Sequence, residues 1–306
     1  MTPITSFADL SAHLLGHPSR RKRVAVAYPH DDHTREAVEA ALQEGFADFI
    51  LVGRTDELRQ LPFVTANPGR VTLEQSDTPE DAARRAVALV RGGSADVLMK
   101  GMMNTDVLLH AVLDKQLGLL PPGGVLSHIT ASEIPGHGRL LFFADAAVIP
   151  FPTLAQRTAM LVEMTATIRS FGIAQPRIAL IHCTEQTSPR FPVTLDYAEL
   201  RRLAAEGEFG AATVDGPMDV RCACEPGAAA VKGIVSPVAG CADGLLMPDI
   251  EAANVFYKTV TTFAGAINAG MLMGTTAPVV LPSRGDSPRG KLYSLAMACL
   301  KTLSSN

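Results

Sequence analysis

The stretch at residues 278–300, PVVLPSRGDSPRGKLYSLAMACL, contains the alternation on which the fold prediction rests. It opens with the uncharged apolar run 279–281, of the kind that a strand buried on both faces needs. It closes with apolar residues at the i, i+3, i+4, i+7, i+8 spacing of a helix packed on a core. Those residues are Leu292, Leu295, Ala296, Cys299 and Leu300. The stretch therefore predicts a buried strand that is followed closely by a helix.

The loop between these two elements is rich in groups that can bind an anion. It holds Ser283, Arg284 and Asp286, and Ser287 with Pro288 is typical of an N-cap and a first helical residue. At the amino end of a helix, free N–H groups and the helix dipole favour an anion, and a guanidinium suits phosphate oxygens. Two interpretations remain open: an anion site with a hydroxyl and a carboxylate beside it, or a polar turn with an ordinary cap.

Length and composition limit the class of protein. A chain of 306 residues favours two domains, and a formal net charge of −4 gives no reason to expect nucleic acid or a membrane surface as partner. No signal-peptide pattern and no apolar run of membrane-spanning length is found in the sequence. The five cysteines have neither zinc-finger nor CxxC spacing. We therefore expect a cytoplasmic protein with reduced thiols and no metal site.

The first third of the chain alternates between strand-like and helix-like segments. Strands are predicted at 24–28, 49–52 and 96–99, a weak one at 71–73, and helices at 6–15, 33–44, 54–60 and from Pro79 with Thr78 as N-cap. This order predicts a parallel sheet with helices on both faces. In such sheets, ligands bind outside the carboxyl ends of the strands.

One such strand end carries the segment Lys100-Gly101-Met102-Met103-Asn104-Thr105. One interpretation is that the lysine and the backbone amides face an anion. The other is a loop with a glycine turn and an Asn/Thr cap, and both remain open. The glycine spacing matches neither a P-loop nor a dinucleotide-binding fingerprint, which argues against a nucleotide triphosphatase.

From residue 123 onward the pattern changes, so we place the first domain crossing there. Segments 125–130 and 140–149 are predicted to be extended, with a turn at 136–138; a helix follows at 153–171 and a strand at 177–182. Further on we predict a helix at 194–206, a turn at 215–217 and a strand at 244–247. Segment 221–232 is left open, with a loop followed by a short Ala-rich helix as one interpretation.

Three polar residues of this part are candidate ligand groups. Strand-like apolar flanks favour His128 as a hydrogen-bonded core histidine over a general acid or ligand group. Asn254 and Lys258 share one face of a predicted helix, where they could touch an anionic ligand or simply be solvated.

Three blocks of sequence together resemble the phosphate acetyl/butyryltransferase family. They are LMKG at 98–101 with Thr105, ADG at 242–244 through PDIEAANVFYK at 248–258, and PVVLPSRGDS at 278–287 with KLYSLA at 291–296. Ser127 and His128 also fit. The resemblance implies the isocitrate/isopropylmalate dehydrogenase-like fold: two α/β/α domains with a cleft between them as active site, usually in a homodimer. The first domain would comprise 1–137 plus 269–306 and the second 138–268.

The resemblance also implies a reaction. A short-chain acyl-CoA, such as acetyl-CoA or butyryl-CoA, reacts reversibly with phosphate to give acyl phosphate and CoA, with CoA as substrate and no cofactor. Arg284 would clamp the phosphate, Ser283 would stabilise developing negative charge and Asp286 would take the thiol proton. In the acetyl branch the catalytic carboxylate tends to lie further along the chain, so Asp286 as a helix cap remains an alternative.

The remaining predictions concern the substrate-binding residues, the substrates and two alternative functions. Lys100, Gly101, Thr105, Ser127, His128, Asn254 and Lys258 are expected to bind substrate. The small-molecule substrates are acyl-CoA, phosphate and acyl phosphate. Alternatives are a non-catalytic acyl-CoA-sensing module of the same fold and an NAD- and metal-dependent dehydrogenase of the same superfamily.

Overall fold

A computed structural model of the chain describes residues 2–16, 21–283 and 285–303. The chain divides into two compact units. The first unit comprises Phe7–Leu126 and the chain from Ala269 onward, and the second comprises the residues up to Ser6 together with Ser127–Asn268. Compared with the sequence expectation, the first crossing lies at 126/127 instead of 137/138, because the strand that begins at Ser127 pairs with the strand of 140–144.

The first unit is built mainly from alternating strands and helices. Its elements are α1 (Phe7–Leu15), β1 (Lys22–Ala27), α2 (Asp32–Glu44), β2 (Ala47–Gly53), α3 (Thr55–Leu58), α4 (Pro62–Ala66), β3 (Val71–Gln75), α5 (Pro79–Arg91), β4 (Val97–Lys100), α6 (Thr105–Val112), β10 (Ile267–Met273), β11 (Val279–Val280) and α12 (Pro288–Leu303). The strands lie in the order β3-β2-β1-β4-β11-β10. All pairings are parallel except that of β10 with β11.

The second unit has a sheet of its own strands with helices packed on it. Its elements are β5 (Ser127–Glu133), β6 (Leu140–Ala144), α7 (Leu154–Ser170), β7 (Arg177–Ile181), α8 (Val193–Ala205), β8 (Thr213–Met218), α9 (Val220–Cys224), α10 (Ala228–Val231), β9 (Gly244–Leu246) and α11 (Ile250–Ala264). The order is β5-β6-β9-β7-β8, and only β5 and β6 are antiparallel.

Helix α12 is the most deeply buried helix of the first unit. Every residue from Gly290 to Leu300 is buried, including the whole predicted apolar stripe. The ring of Tyr293 stacks on that of Phe7 at 4.7 Å between centroids, and the hydroxyl of Ser294 accepts a hydrogen bond of 2.9 Å from the backbone N–H of Gly270. The helix is therefore fixed to α1 on one side and to β10 on the other.

Four local predictions differ from the structure. The predicted turn at 215–217 is part of β8; this strand lies at an edge, where a proline costs no ladder hydrogen bond. Strand β10 was not predicted, so the sheet of the first unit is mixed and not purely parallel. The helix predicted at 54–60 is limited to α3, and the short helix α4 follows it outside that range; the segment of 140–149 is extended only as far as Ala144. Segment 221–232 forms the short helices α9 and α10.

Candidate active site

The carboxyl ends of three neighbouring parallel strands meet at one pocket of the first unit. Strands β1, β4 and β11 lie side by side, and Val280 is in register with Met99, which is in register with Val26. The pocket has a volume of about 300 Å³. Its lining residues are Asp31, Asp32, His33, Lys100, Gly101, Met102, Ser283 and Lys291. This is the edge of the sheet at which the sequence predicts ligand binding.

Lys100 is the last residue of β4 and its side chain is 3% exposed. Its ammonium donates hydrogen bonds of 3.2 Å to the carbonyl of Met103 and 3.4 Å to the carbonyl of Gly101. These two hydrogen bonds hold the buried ammonium beside the pocket. The lysine half of the anion interpretation is therefore consistent with the geometry.

The backbone amides of Gly101 and Met102 have partners within the protein. The N–H of Gly101 donates to the carbonyl of Ala27 at 2.8 Å, and that of Met102 donates to Tyr28 at 2.8 Å. A Cβ on Gly101 would lie 2.4 Å from the carbonyl oxygen of Tyr28. The glycine is thus required by the close approach of β1, and these amides hold the loop to that strand instead of facing a ligand.

The loop between β11 and α12 is held by its own side chains. The carboxylate of Asp286 accepts a hydrogen bond of 2.7 Å from the N–H of Ser283, and the hydroxyl of Ser287 accepts one of 3.2 Å from Gly290. Ser287 therefore caps α12, as the sequence predicts. Ser283 lines the pocket, and Arg284 lies outside the described residues, so its role stays a prediction.

Two of the pocket residues that the sequence analysis missed form an ion pair. Lys291, 3% exposed, donates from its ammonium to the carboxylate of Asp31 at 3.1 Å and to the hydroxyl of Thr34 at 3.4 Å. Asp31 is the N-cap of α2 and accepts a hydrogen bond of 2.9 Å from the N–H of Thr34. Burial opposes ionisation of Asp31, but the bonds from Thr34 and the charge of Lys291 hold the pKa of this carboxyl below its ordinary value.

A sequence signal for both residues existed. Lys291 is four residues before Leu295 and thus on the face of the predicted apolar stripe, where a charge requires a partner. Asp31 follows β1, at the strand end where ligand groups are expected.

Thr105 and the four remaining predicted residues are not part of this pocket. Thr105 is the exposed first residue of α6. In the second unit, Ser127 and His128 are buried in β5, and Nδ1 of His128 lies 3.5 Å from the hydroxyl of Thr130, which favours the core interpretation of that histidine. The substrate-binding roles of these residues stay predictions.

Asn254 and Lys258 are exposed on α11 of the second unit. The side-chain amide of Asn254 donates to the carbonyl of Ala146 at 3.2 Å, and the ammonium of Lys258 lies 4.6 Å from the centre of the Tyr257 ring. The helix begins with Asp249 as N-cap, whose carboxylate accepts a hydrogen bond of 2.8 Å from Ala252. Each side chain thus has an intramolecular partner that accounts for its position on the helix.

His30 lies in the loop between β1 and α2, immediately before Asp31. Its Nε2 accepts a hydrogen bond of 3.2 Å from the N–H of Arg54, and its Nδ1 lies 3.2 Å from the carboxylate of Glu57. Burial, together with the charge of Arg54, lowers the pKa of His30. The imidazole is therefore neutral near pH 7 and fixes the loop that positions Asp31.

Among the described residues, one cluster has side chains of the types that bind metals. It consists of Glu185, Asp219 and Cys222 in the second unit. Both carboxylates already pair with the ammonium of Lys232, at 2.5 and 2.6 Å. Burial raises the pKa of the Cys222 thiol, which disfavours the thiolate that metals bind. The cluster is accounted for as an ion-pair network.

Comparison with known proteins identifies the family. Residues 64–299 match the sequence profile described as phosphate acetyl/butaryl transferase. The chain belongs to this family. A phosphate butyryltransferase of Clostridium acetobutylicum is 39% identical over 280 residues, covering 91% of this chain and 93% of that protein. A phosphate acetyltransferase of Thermotoga maritima is 35% identical over 279 residues, covering 91% of this chain and 95% of that protein.

A solved structure supports the same conclusion. The crystal structure of a branched-chain phosphotransacylase from Enterococcus faecalis V583 is similar with a TM-score of 0.81 at 30% identity, covering 92% of this chain and 99% of that one. The family, the α/β fold class and the acyltransferase activity inferred from the sequence are thereby confirmed. This phosphate acyltransferase has, within its described residues, no helix with the length and apolar character needed to cross a bilayer.

Proposed function

We propose that the first-unit pocket is the phosphate subsite of an enzyme that converts acyl-CoA and phosphate to acyl phosphate and CoA, and back. The observation that carries this assignment is the pair of buried ammonium groups, those of Lys100 and Lys291, beside Ser283 at one pocket. Low local dielectric strengthens the attraction between these cations and a phosphate dianion. Such a pocket is suited to hold the group whose charge changes during the reaction.

The chemistry proceeds by direct attack in a ternary complex. In the direction of acyl-CoA formation, the CoA thiol, which is mostly protonated at neutral pH, loses its proton to the carboxylate of Asp286. The sulfur bonds to the acyl carbon, the bond from that carbon to the phosphate oxygen breaks, and phosphate leaves with the electron pair. Ser283 donates a hydrogen bond to the developing negative charge, and Arg284 neutralises the leaving phosphate. Positioning of both substrates replaces a covalent enzyme intermediate.

The acyl group transferred is proposed to be butyryl or a similar four-carbon chain. The relative named for butyryl transfer is 39% identical and the Thermotoga relative named for acetyl transfer is 35% identical. The sequence after Ser283-Arg284-Gly285, with Asp286-Ser287 and later Lys291, resembles the butyryl branch. Two additional methylene groups in a fitted apolar site favour butyryl-CoA by at least about tenfold in kcat/KM.

No metal or redox cofactor is proposed, because the exchange of thioester for acyl phosphate is redox-neutral and cationic side chains can supply the charge stabilisation. We propose a cytoplasmic location, since CoA is the substrate and the five cysteines are free thiols. Small molecules are the only substrates proposed.

A homodimer is the proposed assembly. Helix α11 exposes Val255 at 65% and Phe263 at 85%, which is unusual for large apolar side chains. If a second copy covers this helix, Phe263→Asp shifts the protein from dimer to monomer in light-scattering measurements. A Leu117→Asp control, at a similarly exposed leucine of the first unit, leaves the mass unchanged. A wild type that is monomeric at micromolar concentration contradicts the assembly.

The function is tested by thiol release. The purified chain is incubated with acetyl-, propionyl- or butyryl-CoA, phosphate and a chelator, without NAD, and free CoA is followed with a thiol reagent. Release that depends on phosphate supports the acyltransferase over both a non-catalytic sensor and a dehydrogenase. Arg284→Ala is expected to lower turnover at least about a hundredfold. Unchanged turnover in this variant contradicts its proposed role, and absence of release contradicts the reaction.

A further inference from the structure

Helix α12 carries one charged side chain within a run of buried residues. From Gly290 to Leu300 all residues are buried, and Lys291 is the only Lys, Arg, Asp, Glu or His among them. An ammonium removed from water destabilises a fold unless hydrogen bonds and an opposite charge compensate. Lys291 lies beside a pocket and not in the apolar interior of the helix packing, which indicates that its charge serves a ligand in that pocket.

Two anchors fix the direction of the Lys291 ammonium. Its Nζ lies 3.1 Å from Oδ1 of Asp31 and 3.4 Å from Oγ1 of Thr34. Asp31 is itself held as the N-cap of α2 by the N–H of Thr34, and Thr34 is fully buried. An ammonium has three N–H groups, and these anchors take two. Within the described residues no further hydrogen bond of this ammonium is found, and the group lines the pocket.

Two buried lysine side chains line the same pocket. Lys100 and Lys291 are each 3% exposed, and Asp31 supplies one partly buried carboxylate. Asp32 also lines the pocket, but its side chain is 88% exposed and lies 3.9 Å from the guanidinium of Arg35. Water screens such an exposed carboxylate, whereas buried charges are screened much less. Two buried lysine side chains at one pocket are suited to an anionic ligand.

We propose that Lys291 binds the phosphoryl group of the substrate together with Lys100, and that Asp31 and Thr34 are positioning residues that aim its ammonium into the pocket. This inference rests on the proposed function and deepens it, since it gives Lys291 a direct contact with the phosphoryl group and assigns Asp31 and Thr34 the role of positioning it. A Lys–Asp pair that merely joined α2 to α12 would not require a second buried lysine at the same pocket. The two lysines together provide charge-assisted donors for separate phosphate oxygens.

Binding is tested first without turnover. The melting temperature of the full chain is measured against increasing inorganic phosphate, at constant ionic strength with chloride, for wild type, Lys291→Met, Lys291→Arg and Thr34→Val. Lys115→Met, at an exposed lysine after α6, is the matched control. We expect Lys291→Met to weaken the apparent phosphate affinity about tenfold or more, Lys291→Arg and Thr34→Val to weaken it severalfold, and Lys115→Met to leave it unchanged.

Kinetics then separate phosphate from the phosphates of CoA. In the thiol-release assay, Lys291→Met is expected to raise KM for phosphate about tenfold or more, with KM for acyl-CoA changed less than about twofold. If KM for acyl-CoA rises and KM for phosphate does not, the pocket binds a CoA phosphate and the proposal is overturned. Equal phosphate dependence of wild type and Lys291→Met also overturns it.

Two outcomes separate the binding role of Lys291 from a folding defect and from failure of the proposed reaction. If Lys291→Met does not fold, the severalfold loss in Thr34→Val, which preserves shape and removes one anchor, still supports the proposal, and its absence refutes it. If phosphate stabilises the wild type in a Lys291-dependent way but no acyl-CoA releases thiol, the lysine site is supported and the acyltransferase reaction is contradicted.

Discussion

Replacing Asp286 distinguishes its two possible roles, base and loop anchor. In the structure, Oδ2 of Asp286 accepts a hydrogen bond of 2.7 Å from the N–H of Ser283, the residue that lines the pocket. Asparagine has nearly the same shape and keeps a carbonyl oxygen that can accept this bond, but it cannot take a proton from a thiol. Alanine removes both properties. The Asn variant therefore tests proton transfer alone, and the Ala variant tests proton transfer together with the hydrogen bond to Ser283.

The two roles predict losses of kcat that differ enough to be distinguished. Loss of a general base lowers kcat by a factor of about 10²–10⁴, equivalent to about 3–5 kcal/mol in activation free energy. Weakening only the bond to Ser283, by exchanging a charged for a neutral acceptor, costs about 1 kcal/mol, or roughly fivefold. If Asp286 is the base, Asp286→Asn and Asp286→Ala fall by similar large factors in kcat, while KM for acyl phosphate stays within about threefold in the Asn variant.

The assay is acyl-CoA formation from acyl phosphate and CoA, measured across pH 6–9. In the Asn variant, activity should rise with pH across this range as the thiolate fraction of CoA increases, and the deficit relative to the wild type should narrow. The reasoning is refuted if Asp286→Asn retains near-normal kcat at pH 7 while Asp286→Ala is severely impaired. That pattern would make Asp286 an anchor for Ser283 and place the base elsewhere.

Two further predictions concern the scaffold of the pocket. Gly101→Ala places a Cβ 2.4 Å from the carbonyl oxygen of Tyr28, so we expect the free energy of unfolding, measured by urea titration, to fall by about 2–3 kcal/mol. In the control Gly69→Ala, nothing lies within 4 Å of the added Cβ, and the change should be less than about 0.5 kcal/mol. Equal losses in the two variants would contradict the packing argument. The pKa of His30 is lowered in the folded protein, so the unfolded chain binds more protons below about pH 6.5, and the free energy of unfolding should fall there by up to ~1.4 kcal/mol per pH unit. In urea titrations from pH 7 to 5, His30→Gln should lack this contribution to the pH dependence. A pH dependence equal to that of the wild type would count against the argument.

The sequence was sufficient for elements whose pattern is local and strong. The stripe from Leu292 to Leu300 predicted α12, and its residues are all buried. Thr78 with Pro79, and Ser287 with Pro288, predicted the starts of α5 and α12, since caps depend on groups three residues apart. The apolar run at 279–281 predicted β11, although only Val279 and Val280 pair as a strand.

Elements whose pattern depends on distant partners were missed. Strand β10, INAGMLM, mixes small and large apolar residues without alternation, so its sequence lacks a strand pattern, and it pairs antiparallel to β11. The segment Asp215–Pro217 has turn composition, yet it extends along β7 as an edge strand. A Cβ on Gly216 would lie 2.5 Å from the carbonyl oxygen of Leu180, so this glycine serves a close approach to β7 and not a turn.

The pocket shows why a site is harder to predict than its elements. Asp31 and Lys291 are 260 residues apart in sequence, and they meet only because β1, β4 and β11 are neighbours in register. Periodicity predicts each strand and helix but carries no information about which strand ends meet. A charged residue on the buried face of a helix that follows a parallel strand nevertheless limits the search. Its partner must lie where polar groups can reach the sheet edge, in the loop after a neighbouring strand, and here the loop after β1 supplies Asp31 as the N-cap of α2.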